Sequence, residues 1–360
     1  MSSAPHLLVA ISSHGFGHIA QTAPIVNEVA SRIKNLKITI RSAAPLQQLE
    51  SRIKVPFDYL QDEVDFGMRM FNALDVDVQA TVSIYDSLHQ NWGEAIKRET
   101  GLMQSIRPDL VLANIPYLTL AGAAKANIPC IAFGSLNWHD IFSHYCSSDT
   151  RSASILQQIR SAYSSATRFL SLEPTMPMSL DNRLEPIGPV AQLGNNIKKD
   201  IISLINGTAK DKLILVSLGG IATDPPVKKW PVLENFRWLV PQSWCSGQQH
   251  THSIDALKFS FIDLLKSSDV LITKTGYGSL IEACCNQTAV INIPRPDWPE
   301  QPGLATWMEK HHHYLEAQRE EVFDENIVSK LDYLNQMIAK PVISPTGIQD
   351  ATDIVCSYLD

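Results

Sequence analysis

Leu7-Leu8-Val9-Ala10-Ile11-Ser12-Ser13-His14-Gly15-Phe16-Gly17-His18-Ile19-Ala20, close to the start of the chain, decides how the rest is read. A short apolar run, Leu7–Ile11, predicts a strand. Two glycines then permit a tight turn. The pattern over Ile19–Ile33 predicts a helix. A strand that passes through glycines straight into a helix is how a parallel, doubly wound sheet begins.

Working outward, the same alternation recurs. Candidate strands are Leu7–Ile11, Lys37–Ile40, Leu110–Ala113, Cys130–Phe133 and Phe169–Ser171. A second set is Leu213–Leu218, Phe236–Val240, Val270–Thr273 and Ala289–Ile293. Helical patterns lie between most of them, at Ile19–Ile33, Leu156–Ser165, Ile254–Lys266 and Ile327–Ala339. The alternation restarts near Leu184-Glu185-Pro186-Ile187-Gly188-Pro189, whose prolines and glycine predict a linker. The expectation is therefore an α/β chain of two doubly wound, Rossmann-like parallel-sheet domains, 1–185 and 186–345, facing a cleft. A last helix within 346–360 is expected to pack back on the first domain. Right-handed crossovers put the loop after each strand along one sheet edge, where ligands bind.

The chain's 360 residues suit two domains. With 44% hydrophobic and 19% charged residues it is a folding sequence rather than a disordered one. A net charge of -7 gives no reason to expect nucleic acid as a partner. The apolar run at the N-terminus is too short for a signal peptide, and no run reaches the ~18 residues of a membrane helix. The six cysteines are scattered without a C-x-x-C pair. They predict reduced thiols and a cytoplasmic location.

Four segments carry candidate chemistry. The first is the opening turn, His14-Gly15-Phe16-Gly17-His18: free N–H groups at the helix start favour an anion or a polar substrate. Two histidines there supply a neutral-pH base. A turn needed only for packing is the alternative. Gly15-x-Gly17-x-x-Ala20 also matches the dinucleotide fingerprint, and Arg41-Ser42 at the end of the next strand suits a 2′-phosphate, so an NADP reading stays open. The second is Lys274-Thr275-Gly276-Tyr277-Gly278-Ser279-Leu280-Ile281-Glu282, again strand, glycine turn, helix. Ser279 can serve a phosphate and Glu282 a pair of vicinal hydroxyls; Ser279-x-x-Glu282 also has the spacing of a capping box. The third is Gly219-Gly220, directly after a strand. The fourth is Arg295-Pro296-Asp297-Trp298-Pro299-Glu300-Gln301, a proline-stiffened loop with groups fit for sugar hydroxyls. Asp75-Val76-Asp77 has the spacing of a metal-binding pair but lies in the irregular, acidic stretch Pro56–Ala80, which reads as surface or as a loop on the acceptor side. No metal site is expected.

Taken in order, these segments resemble one superfamily. Residues 273–282 resemble the histidine-cysteine-glycine-tryptophan-asparagine-serine-x-x-glutamate core of the UDP-glycosyltransferase signature, and Glu300-Gln301 falls where that signature ends in aspartate-glutamine. Gly15-Phe16-Gly17-His18 resembles the glycine-histidine loop of the same enzymes and of peptidoglycan N-acetylglucosaminyltransferases. Gly219-Gly220 resembles their second-domain glycine loop. The combination also resembles the glycosyltransferase-like N-terminal region of arabinokinases. Lys274 stands in place of the family's histidine, Gly278 of its asparagine and Glu300 of its aspartate.

The resemblance implies the GT-B fold and a metal-independent, inverting glycosyltransferase that needs no cofactor. Its small-molecule partners would be a nucleotide diphosphate sugar, of UDP type, and a hydroxyl acceptor. His18 would be the base, with an acidic partner, on a loop formed by His14, Gly15 and Gly17. The donor would lie against Gly219, Gly220, Lys274, Thr275, Gly276, Tyr277, Gly278, Ser279, Glu282, Glu300 and Gln301. A nucleotide-sugar epimerase and a nucleotide-sugar-binding sensor without turnover are the alternatives.

Overall fold

The computed structural model describes all residues except 1–3, 73–74, 181–183, 220–232, 246–249 and 339. The chain divides into two compact units, Met1–Val190 with Thr346–Asp360, and Ala191–Pro345.

In the first unit the order is β1 His6–Ile11, α1 Phe16–Arg32, β2 Lys37–Ser42, α2 Leu46–Arg52, β3 Asp58–Gln61, α3 Val78–His89 and α4 Trp92–Ile106. There follow β4 Leu110–Asn114, α5 Tyr117–Lys125, β5 Cys130–Gly134, α6 Trp138–Cys146, α7 Ser152–Ser164, β6 Arg168–Leu172 and β7 Leu184–Ile187. The second unit holds α8 Lys198–Leu204, β8 Lys212–Ser217, β9 Phe236–Val240, β10 Thr251–Ser253, α9 Ile254–Leu257, α10 Phe261–Ser267, β11 Val270–Lys274 and α11 Tyr277–Asn286. It ends with β12 Ala289–Ile293, α12 Gln301–His311, β13 Tyr314–Glu316, α13 Arg319–Val322 and α14 Asn326–Gln336, before the chain returns to the first unit as α15 Gly347–Cys356.

Among the described residues the first sheet runs β3-β2-β1-β4-β5-β6-β7 and the second β10-β9-β8-β11-β12-β13. Every pairing is parallel. Each sheet thus runs 3-2-1-4-5-6 in its own strand order, the first extended by one more strand; this is the doubly wound order. The strands are apolar because helices cover both faces. All of β1, β4 and β5 is buried, and each fully buried Leu, Ile or Val contributes about 1.5–3 kcal/mol. On α1, Ile19, Ala23, Ile25, Val26 and Val29 are buried.

The sequence reading differs in places. The segment read as a linker begins with a strand, β7, paired to β6 from Phe169↔Leu184 to Leu172↔Ile187. Pro186 is tolerated there because an edge strand has N–H groups that need no partner. The helix read over Ile254–Lys266 is two short ones, α9 and α10. Lys258 stands between them at φ 56, and Ser253 and Ser260 each cap a new start by accepting from Ala256 N at 3.2 Å and Asp263 N at 3.1 Å. Apolar periodicity alone does not register such local caps.

α15 packs on α1. Arg32 reaches Asp353 at 2.6 Å, Gly188 N donates to Asp350 Oδ2 at 3.0 Å, and Gly347 N donates to Pro189 O at 3.0 Å. No helix among the described residues is long and apolar enough to cross a membrane. The six cysteines are free thiols, and burial pushes those of Cys284 and Cys285 up to about 12.

Candidate active site

A doubly wound sheet opens a crevice where its strand order reverses, beyond the carboxyl ends of the two strands that diverge there. These are β1 and β4 in the first unit, β8 and β11 in the second. The predicted site residues sit largely at these two positions.

At the first, Gly15 is the N-cap of α1, with no side chain capping it, so Phe16, Gly17 and His18 occupy the opening turn. Their N–H groups have no acceptor within the helix. Gly15 has φ 172, an extended conformation open to any residue. A Cβ at Gly15 or Gly17 would meet nothing within 4 Å. Packing therefore does not require glycine at either position.

The His18 ring is 8% exposed. Its Nδ1 lies 2.6 Å from Asn114 Oδ1; Asn114 Nδ2 donates to Gln21 Oε1 at 2.8 Å, and Gln21 Nε2 donates to Ser135 Oγ at 3.0 Å. Asn114 ends β4, opposite Ile11 of β1, and its carbonyl accepts from Ser12 N at 2.8 Å. The expected acidic partner of His18 is thus a neutral amide. Burial pushes the imidazole down to about 4, against the weaker opposing effect of the Asn114 hydrogen bond. The ring is neutral at pH 7.

His14 stands edge-on to Trp138, ring centroids 5.1 Å apart, and His18 is tilted over the same indole at 5.8 Å. Met68 N donates to His14 Nδ1 at 3.3 Å. Trp138 Nε1 donates to Asp65 Oδ2 at 2.7 Å, and Ser12 Oγ donates to Asp65 Oδ1 at 2.8 Å. Burial pushes the Asp65 carboxyl up to about 6. Part of the stretch Pro56–Ala80 is therefore buried rather than surface: Val64, Asp65 and Met68 are covered. Elsewhere in it Asp77 caps α3, accepting from Ala80 N at 2.9 Å, and Asp75 accepts from Asn72 Nδ2 at 2.6 Å. Arg41, read as a possible 2′-phosphate ligand, is buried and bonded to Glu99 and, at 2.7 Å, to Asp62. Its charge is already matched inside the fold, which removes the ground for the NADP reading.

At the second position Gly219 follows β8 with φ +82, a left-handed conformation that favours glycine. A Cβ there would lie 3.2 Å from Lys274 Cε, so the loop after β8 and the end of β11 are in close contact. Gly220, Pro225 and Pro226 lie outside the described residues. Burial pushes the Lys274 amine down to about 8; Arg295 acts in the same direction and Glu300 against it. The Arg295 guanidinium lies over Trp298 at 4.2 Å, and Trp298 Nε1 donates to Glu300 Oε2 at 3.0 Å. Thr275 donates its hydroxyl to Gln301 Oε1, which also accepts from Arg295 N at 3.1 Å, while Gln301 Nε2 donates to Glu316 at 2.6 Å. The Gln301 amide thus binds the turn after β11 to α12 and β13.

Gly276 is the N-cap of α11, again with no side-chain cap and with nothing within 4 Å of a built Cβ. Ser279 is therefore the third helical residue and not the cap, and the capping-box alternative fails. Tyr277 and Gly278 are buried, Ser279 is half-buried, and Glu282, one turn further along, is 1% exposed.

Each unit thus brings its own predicted residues together: His14, Gly15, Gly17 and His18 in one; Gly219, Lys274, Thr275, Gly276, Glu300 and Gln301 in the other. Sequence reasoning missed Asn114, Gln21, Asp65 and Trp138, and gave Arg295 no role at the site. Asn114 carried one signal, a polar residue closing the apolar run Leu110–Ala113.

No protein-family model matches the chain. It is 22% identical over 315 residues to the L-arabinokinase of Arabidopsis thaliana, covering 86% of this chain and 30% of that protein. The chain thus spans less than a third of the length of the curated relative it matches. Among solved structures it is similar to the glycosyltransferase of kitacinnamycin, with TM-score 0.64 and 16% identity, 100% of both chains being covered. A UDP-glucosyltransferase from Polygonum tinctorium, capable of glucosylating indoxyl, has TM-score 0.60 and 12% identity, covering 100% of this chain and 99% of that one. The UDP-GlcNAc 2-epimerase of Neisseria meningitidis, solved with UDP-GlcNAc, has TM-score 0.53 and 14% identity over 98% of this chain and 99% of that one. The fold is that of the GT-B glycosyltransferases, two parallel α/β sheets in one chain.

Proposed function

We propose that the protein is a metal-independent, inverting glycosyltransferase that moves a sugar from a nucleotide diphosphate donor, of UDP type, to a hydroxyl acceptor. The observation that carries this reading is His18. It lies in the uncapped opening turn of α1, at the switch point of the first sheet, with Nδ1 engaged by Asn114. An imidazole held at Nδ1 offers Nε2 to a substrate.

In this reading Nε2 takes the proton of the acceptor hydroxyl as its oxygen attacks the anomeric carbon. The bond from that carbon to the leaving phosphate oxygen breaks on the opposite side. Negative charge collects on the diphosphate. Lys274, Ser279 and the opening turn of α11 meet that charge, the role a divalent cation fills elsewhere. Glu282 holds the ribose, and Glu300 and Gln301 face the sugar. The proposed reaction needs no cofactor, and we place the protein in the cytoplasm.

A second reading has its own observation. A base works best with a pKa near the working pH, and His18 is pushed down to about 4 beside a neutral amide. That favours a sensor that binds a nucleotide-sugar without turning it over. A thermal-shift panel of nucleotide diphosphates and their sugars, followed by turnover assays with donor alone and with donor plus acceptor hydroxyls, separates the readings. Turnover only with acceptor supports the transferase. Conversion of donor alone marks an epimerase, and binding without conversion marks the sensor.

A further inference from the structure

We infer that Asn114, held in turn by Gln21 and Ser135, is a positioning residue that locks His18 in the neutral form protonated at Nδ1, so that Nε2 always presents a lone pair. The argument is one of hydrogen-bond direction. An amide has one end that only donates and one that only accepts. Gln21 Nε2 donates to Ser135 Oγ, so Gln21 turns its oxygen to Asn114. Asn114 Nδ2 is used on that oxygen, so Asn114 turns its own oxygen to His18. That oxygen can only accept, and the proton between the two groups must belong to Nδ1. Ser135 and Asn114 are 1% and 0% exposed, and Gln21 is 4% exposed, so bulk water does not compete for these bonds. A reversed chain would turn an Asn114 N–H toward Nδ1 and put the proton on Nε2, leaving a ring able to donate to a substrate but not to take its proton.

The chain also carries no charge. A carboxylate in place of Asn114 would orient the ring equally well and draw a proton onto it; the amide orients without doing so. His14 and Asp65, the titratable groups gathered with His18 around Trp138, stay the same in every comparison below. The inference rests on the proposed function only for the use made of Nε2.

The test is a long-range 1H–15N correlation spectrum of the full chain labelled at histidine nitrogens, at pH 7, with His18→Gln to assign the signals. The expected result is a protonated Nδ1 and an unprotonated Nε2 on His18. Asn114→Asp keeps the acceptor, so the tautomer should hold while the protonated fraction of His18 at a given acidic pH rises about tenfold or more. Asn114→Ala should give a mixture of tautomers. Should that variant not fold, Ser135→Ala removes the far end of the chain and should likewise admit the Nε2-protonated form. A wild-type His18 protonated at Nε2, or a tautomer indifferent to Asn114→Ala and Ser135→Ala in folded protein, overturns the inference. The expected tautomer in a protein that turns over no donor overturns the transferase and leaves this inference standing.

Discussion

Replacing Asp65 with asparagine should make the protein more stable at neutral pH. The carboxyl is 7% exposed, and burial pushes it from an ordinary 3.8 up to about 6. The folded protein keeps a proton on Asp65 up to about pH 6, whereas the unfolded chain releases it near 3.8. Between these values folding takes up a proton, so stability falls as pH rises through the window and stays lower above it. A shift of about two units corresponds to about 3 kcal/mol at pH 7.5, and to about half of that at pH 5. Asparagine removes the charge and can keep both bonds. Its oxygen accepts from Trp138 Nε1 and its NH2 donates to Ser12 Oγ, in place of the 2.7 and 2.8 Å bonds the carboxylate receives. Urea unfolding of both proteins from pH 5 to 7.5 should show a gain for the variant that grows with pH toward about 3 kcal/mol. If the two profiles run parallel with the variant less stable throughout, Asp65 is a well-stabilised anion and the reasoning fails.

Four other outcomes follow from the geometry. His18→Ala should lower sugar transfer about 10²–10⁴-fold and leave donor binding, measured by calorimetry, unchanged; equal losses in both would give the ring a binding role instead. UDP affinity should fall as pH rises through 8, where the Lys274 amine deprotonates, and Lys274→Met should weaken binding at pH 7 about tenfold and flatten that dependence. Gly67→Ala drives a Cβ into the His14 ring at φ +54, so a loss of about 1–3 kcal/mol is expected; unchanged unfolding would show that the His14 contact is loose. Arg41→Leu leaves the buried Glu99 carboxylate without its cation, at an expected cost of about 3–5 kcal/mol, and a thermal midpoint equal to wild type would contradict this.

What could be read in advance was local. Leu7–Ile11, the glycines after it and the helix beyond are neighbours along the chain, and so are Lys274, Gly276 and Ser279. Their type and order carry both the fold class and the two glycine corners. The partners of these residues come from far away in sequence. Asn114 is 96 positions from His18, and Asp65 is 53 from Ser12 and 73 from Trp138. They meet only because β4 lies beside β1 and because the stretch after β3 folds inward, and neither fact is written in any short window. The same holds for Arg41: its charge suits a phosphate within its own short window, but its partner Glu99 stands 58 positions away.

The return of α15 to the first unit has a consequence for synthesis. As the chain emerges from a ribosome, all of Ala191–Pro345 leaves the tunnel before Thr346–Asp360 does. The second unit can finish folding while the first still lacks α15, the helix packed on α1, in which Ala351 and Val355 are buried. The unit begun first is therefore the one closed last. Until Thr346–Asp360 emerge, the part of α1 that α15 packs on stays exposed to chaperones or to other nascent chains.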